Sequence, residues 1–111
     1  MKNYVQPGHT ITLTAPYAVP SGGGLLVGSI FGVATGDAEN GAEVEAHLVG
    51  VVTLAKTAAL AIAAGDLLYW DDTNKVVNKT STSQKLVGVA VSAAANPSET
   101  VDVRLNGAFV G

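Results

Sequence analysis

Apolar and polar residues alternate along much of this chain with the two-residue period of a half-buried strand. His9-Thr10-Ile11-Thr12-Leu13-Thr14 is the first such segment. Leu25 to Ala34 reads as a second, more apolar strand region with Gly28 and Gly32 inside it. Glu43 to Leu54 is the longest candidate: Val44, Ala46 and Leu48 alternate with Glu43, Glu45 and His47, giving one wet and one dry face. Beyond Gly50 the run Val51-Val52-Thr53-Leu54 predicts a bulge or a strand end buried on both faces. Leu67-Leu68-Tyr69-Trp70 and Lys75-Val76-Val77-Asn78 flank Asp71-Asp72-Thr73-Asn74, which predicts a hairpin with a four-residue loop. Leu86 to Ser92 and Thr100 to Leu105 supply the last two strands.

Between these segments lie turn-forming clusters, such as Pro20-Ser21-Gly22-Gly23-Gly24 and Thr35-Gly36-Asp37-Ala38-Glu39-Asn40-Gly41. Thr57 to Ala64 is alanine-rich and admits one helical turn, but Leu60 and Ile62 alternate with alanines, so the expectation is a short strand or extended loop. Thirteen glycines at short intervals exclude long helices, and abundant valine and threonine favour strands. The expected fold is all-β: a small sandwich or partly open β-barrel of about seven short strands, with at most one short helical turn. Residues 9–111 are expected to form a single β domain, preceded by an N-terminal arm over residues 1–8. Three Leu-Val-Gly triplets begin at Leu26, Leu48 and Leu86, without a fixed period, and predict no duplicated unit.

Charge narrows the range of functions. Charged residues make up 14% of the chain, roughly half the usual share, and the net charge is -3. Arg104 is the only arginine and no stretch gathers lysines, so no basic face is expected for nucleic acid. No apolar run approaches the ~20 residues of a membrane span, and the start lacks the apolar core of a signal peptide. Without cysteine the chain has neither disulfides nor thiolate metal ligands. So few charges on so apolar a chain predict that part of the surface is covered by another chain.

Motifs for chemistry are absent. There is no cysteine nucleophile and no Gly-x-Ser-x-Gly elbow, and His9 and His47 neighbour no serine at a recognisable spacing. No HxH, HxxxH or HExxH pattern exists. Asp37-Ala38-Glu39-Asn40-Gly41 fails as a calcium loop, because glycine falls at the fifth position and the twelfth is Leu48. Gly22-Gly23-Gly24 is followed by a strand rather than by Gly-Lys-Ser/Thr and a helix, so it is no nucleotide loop. No catalytic, cofactor-binding or metal-binding residue is assigned, and no cofactor is expected.

Several segments, taken in order, are similar to the tailed-bacteriophage capsid cement (decoration) proteins. They are Gly8 to Tyr17, Val19-Pro20-Ser21-Gly22, Leu26 to Ala34, Gly41-Ala42-Glu43-Val44-Glu45, Val49-Gly50-Val51, Leu54-Ala55-Lys56, Ala64-Gly65-Asp66-Leu67-Leu68-Tyr69-Trp70-Asp71, Val87-Gly88-Val89-Ala90 and Val103-Arg104-Leu105-Asn106-Gly107. The resemblance implies a non-enzymatic virion protein, assembled in the host cytoplasm, that binds the major capsid protein on the outside of the head and strengthens it. It also implies a homo-oligomer clustered about a symmetry axis, a trimer in preference to a dimer, with no nucleic-acid or membrane partner. The alternatives are another phage part (tail or head completion) and a ligand-binding β-barrel using the glycine-rich loop and the Tyr69/Trp70 strand. Tyr4 and Val5 are the large apolar groups of the arm and the candidate partner contacts, by strand addition to an exposed sheet edge.

Overall fold

The computed structural model describes Asn3, residues 6–107 and Val110. Nine strands form two antiparallel sheets, and no helix occurs among the described residues. The first sheet holds β1 (Thr10–Thr14), β2 (Gly24–Val27), β3 (Ile30–Ala34) and β4 (Glu43–His47) in the order β1-β4-β3-β2. The second holds β5 (Val49–Ala55), β6 (Leu67–Asp71), β7 (Val76–Asn78), β8 (Lys85–Ala90) and β9 (Thr100–Asn106) in the order β5-β9-β8-β6-β7. Lys56 makes a parallel bridge to Val77, and the Thr57 amide donates to the Val77 carbonyl at 3.2 Å. These contacts draw the two edge strands together, so the second sheet curls into a partly closed barrel.

The class is as the sequence predicts, but nine strands replace about seven because two long segments each divide. Leu25 to Ala34 is a hairpin: Gly28 takes φ +59° at the first central position of a two-residue turn, a conformation that glycine adopts without penalty. Glu43 to Leu54 breaks at Leu48, where the chain leaves the first sheet for the second. The expected buried end of that segment is not found. β5 is an edge strand, so Val51 and Thr53 face solvent while Leu54 alone is buried there. The β6–β7 loop sits one residue later than predicted, at Asp72–Lys75, because Asp71 still pairs with Val76. Thr57 to Ala64 is an extended loop held by the Ile62–Ala94 bridge.

One strand arrangement occurs twice, against the reading that no unit is duplicated. With β1, β2, β3 and β4 matched to β5, β6, β8 and β9, the order β1-β4-β3-β2 becomes β5-β9-β8-β6. The connecting hydrogen bonds match as well. Val19 and Ala38 exchange two of 2.9 Å, and Ile62 and Ala94 exchange two of 2.8 Å. Gly22 N reaches Ala34 O at 2.8 Å, as Gly65 N reaches Ala90 O at 2.7 Å. Ala15 N reaches Ala42 O at 2.8 Å, as Lys56 N reaches Glu99 O at 2.9 Å. Gly32 and Gly88 correspond too, and a side chain at either would strike the facing strand, at Ala46 Cβ (2.9 Å) and Val103 Cγ1 (2.8 Å) respectively. The segment carrying β7 is an addition to the second unit. It shifts the offset from 43 residues at Val19/Ile62 to 56 at Ala38/Ala94, so no fixed period survives. The Leu-Val-Gly triplets fall at unrelated places: a turn, the crossing between sheets, and the interior of β8.

Each unit packs its inner face. In the first, Leu25, Val44, Ala34 and Ala46 gather with Ala15 and Val19. In the second, Leu54, Leu68, Trp70, Val77, Val101, Val103 and Leu105 form a larger cluster. That cluster also takes in Phe31 and Val33 from the outer face of the first sheet. The Phe31 and Trp70 rings lie 5.0 Å apart at 55°, and a Cβ on Gly24 would sit 2.7 Å from the Trp70 ring. The inner face of the second unit therefore caps the outer face of the first. Val110 joins the same cluster, its amide donating to Ser29 O at 2.7 Å, which sets it against the β2–β3 turn.

Candidate interaction surfaces

Tyr4 and Val5, the contacts expected from the sequence, lie outside the described residues. What is described is where the arm joins the sheets: His9 O accepts the Leu48 amide at 2.8 Å, beside the start of β5. His9 and His47 are exposed, and His47 Nδ1 lies 2.7 Å from Thr10 Oγ1. Among the described residues no three His, Asp or Glu side chains converge as metal ligands.

The acidic hairpin loop is organised by its own backbone. Asp71 accepts the Asn74 side chain (2.9 Å), the Asn74 amide (3.1 Å) and the Thr73 amide (3.0 Å), which hold its carboxyl below the usual carboxylate range. A cleft of about 280 Å³ opens beside this loop, lined by Tyr17, Pro20, Gly22 to Gly24, Leu54, Trp70 and Lys75. It brings together the glycine-rich loop and Trp70, as the ligand-barrel alternative requires. Its polar groups, however, serve one another. Tyr17 Oη donates to Gly24 O at 2.9 Å, and the Lys75 ammonium lies 3.8 Å above the Tyr17 ring and 3.3 Å from Asp72 Oδ1. Burial, then the charge of Asp72, pushes the Tyr17 hydroxyl pKa up to about 12. The cleft is a seam between the two sheets rather than a set of free converging groups.

A different surface stands open. The large apolar side chains most exposed among the described residues are Val49 (38%), Val51 (59%), Leu67 (49%) and Val91 (41%). Val49, Val51 and Leu67 lie on the outer face of the second sheet. Cross-strand pairing aligns Val51, Arg104, Val89 and Leu67 in one row across β5, β9, β8 and β6. Half-buried Leu86 and Tyr69 form the neighbouring row, and Val91 lies just past β8, its amide donating to Asp102 O at 3.1 Å. The corresponding positions of the first sheet include exposed Glu43, Glu45 and His47 paired with Thr14, Thr12 and Thr10. The part of the first sheet's outer face that the second unit leaves uncovered is thus polar and acidic, whereas the outer face of the second sheet is apolar. The sequence pattern does not reveal this face, because it offers Val51 only as part of a bulge or a buried strand end.

A family model of phage cement proteins matches residues 5–105 of the 111-residue chain. The chain belongs to the phage cement protein family. No curated protein and no solved structure matches it. Membership carries a structural, capsid-associated role in a bacteriophage. For a cement protein, the feature to explain is a surface on which another protein can sit, and the outer face of the second sheet is the most apolar such surface described.

Proposed function

We propose that this chain is a capsid cement protein that binds the outer surface of the phage head through the major capsid protein and reinforces it against the pressure of packaged DNA. It works as a homotrimer, is a part of the virion assembled in the host cytoplasm, and acts without catalysis, cofactor, nucleic acid or membrane. The observation that carries this reading is the family match, which runs almost the whole length of the chain. The all-β architecture, the sparse charge and the exposed apolar rows support it, since a reinforcing part needs rigid sheets and weakly charged faces to lay against neighbours.

The arm over residues 1–8 is the proposed grip, with Tyr4 and Val5 as anchors adding a strand to an edge of the capsid protein. Ordering it costs about 1–2 kcal/mol per residue, so it settles only where the partner supplies hydrogen bonds and a pocket. Co-sedimentation of the purified protein with expanded empty heads, and separately with tail tubes, tests the assignment. Saturable binding to heads and none to tubes is expected. Binding to tubes alone would make the chain a tail part.

A further inference from the structure

The repeat gives the exposed apolar face a specific occupant. Its row Val51, Arg104, Val89, Leu67 has a counterpart in the first unit: Thr10, His47, Val33, Gly24, paired in the same order. Beyond a bulge that inserts buried Val87, the pair Tyr69 and Leu86 takes the place that Leu26 and Phe31 hold in the first unit. In the first unit the centre of that face is covered from within the chain. Val33 and Phe31 are each 5% exposed, and Gly24 is overlaid by the Trp70 ring from the β6–β7 hairpin. In the second unit the equivalent centre is open, with Leu67 49% exposed and Val89, Tyr69 and Leu86 half-buried. The complementary element is also incomplete. Trp70 corresponds to Val27, and Val27 is only partly buried on the inner face of the first unit, where Trp70 is 2% exposed.

We infer that the outer face of the second sheet receives the β2–β3 hairpin of a second copy of this chain, as the outer face of the first sheet receives the β6–β7 hairpin within the chain. The contact joins two different patches, head to tail, so it propagates and must close on itself to give a finite assembly. A flat sheet face packed on its own copy would give a two-fold axis instead. Closure at three chains makes a ring of six alternating units, and in this respect the inference rests on the trimer proposed above. Arg104 and Val51 fall at the rim, as exposed His47 and half-buried Thr10 do in the first unit. Leu67 takes the place of Gly24 and meets Val27 of the next copy.

The absence of cysteine allows a direct test. In the Val27→Cys, Leu67→Cys double variant, oxidation at micromolar concentration should give covalent oligomers ending in a closed trimer, while each single variant stays uncross-linked. Leu67→Asp, at an exposed position that leaves the fold intact, should weaken self-association on the order of tenfold or more at an unchanged thermal midpoint. No covalent trimer from the double variant, or covalent dimers from Leu67→Cys alone, overturns the inference. So does Leu67→Asp abolishing head binding while the trimer persists, which would assign the face to the shell. The cement reading is judged separately by wild-type binding to heads: heads bound without cross-linking would remove only this contact, and cross-linking without head binding would remove only the cement role.

Discussion

Lys56 shows how a single residue adapts the second unit. It occupies the place of buried Ala15, and it is itself only 3% exposed. The path from Lys56 to the Ile62 bridge is two residues longer than that from Ala15 to the Val19 bridge. The extra loop turns carbonyls inward, and the Lys56 ammonium donates to those of Leu60 (2.6 Å), Thr57 (2.8 Å) and Ala58 (3.2 Å). No carboxylate is needed, because three oriented carbonyl dipoles satisfy its protons. Lys56→Met keeps the aliphatic packing and strands those carbonyls, so urea unfolding should show a loss of about 1–3 kcal/mol. An unchanged midpoint would mean that water replaces the amine without cost. This role is invisible in the sequence, where a lone lysine among alanines reads as a surface residue. His9 and His47 are the converse, since their place on half-polar strands already marks them as exposed.

At the scale of elements, the polar and apolar pattern marks β1, β6, β7, β8 and β9 to within a residue or two, and the start of β4. Tight turns were harder to see. Val27-Gly28-Ser29-Ile30 turns the chain in two residues, and with apolar residues on both sides it reads as one continuous strand. The Leu48 crossing was hidden for a related reason: both strands keep the same period through it, and only their partners change. The apolar run from Val51 to Leu54 suggests a bulge or a buried end, whereas its strand is a sheet edge whose outer side faces solvent. The arm adjoins this strand through His9 and Leu48, and its own sequence offers little to bury on the sheets. Deleting Met1 to Gln6 should therefore leave the thermal midpoint nearly unchanged while abolishing or strongly weakening head binding. A truncated protein that still decorates heads with full affinity would place the grip elsewhere, and a large fall in midpoint would make the arm part of the fold.

The whole molecule is elongated, 48 × 31 × 24 Å, because two small units sit side by side instead of closing one sandwich. Its repeat is not legible in the sequence, because the β7 insertion destroys the period and Gly-Val-Ala, shared by β3 and β8, is too short to stand out. The sparse charge predicts a covered surface, and the exposed apolar face of the second sheet is where a cover would sit. Light scattering at micromolar concentration should accordingly give three times the chain mass. A clean monomer would remove the inference drawn from low charge and leave assembly to the head alone.

The central claim is that the protein strengthens the head, which is a stronger statement than that it coats it. Bound only to the assembled shell, it should stabilise that state by linkage and raise the barrier to rupture. The most direct measurement is the temperature at which DNA-filled heads release their DNA, with the protein absent and then restored to saturation. The account predicts release at a lower temperature from undecorated heads, with recovery on adding the protein back. Fully decorated heads that release DNA at the same temperature as bare ones would contradict it.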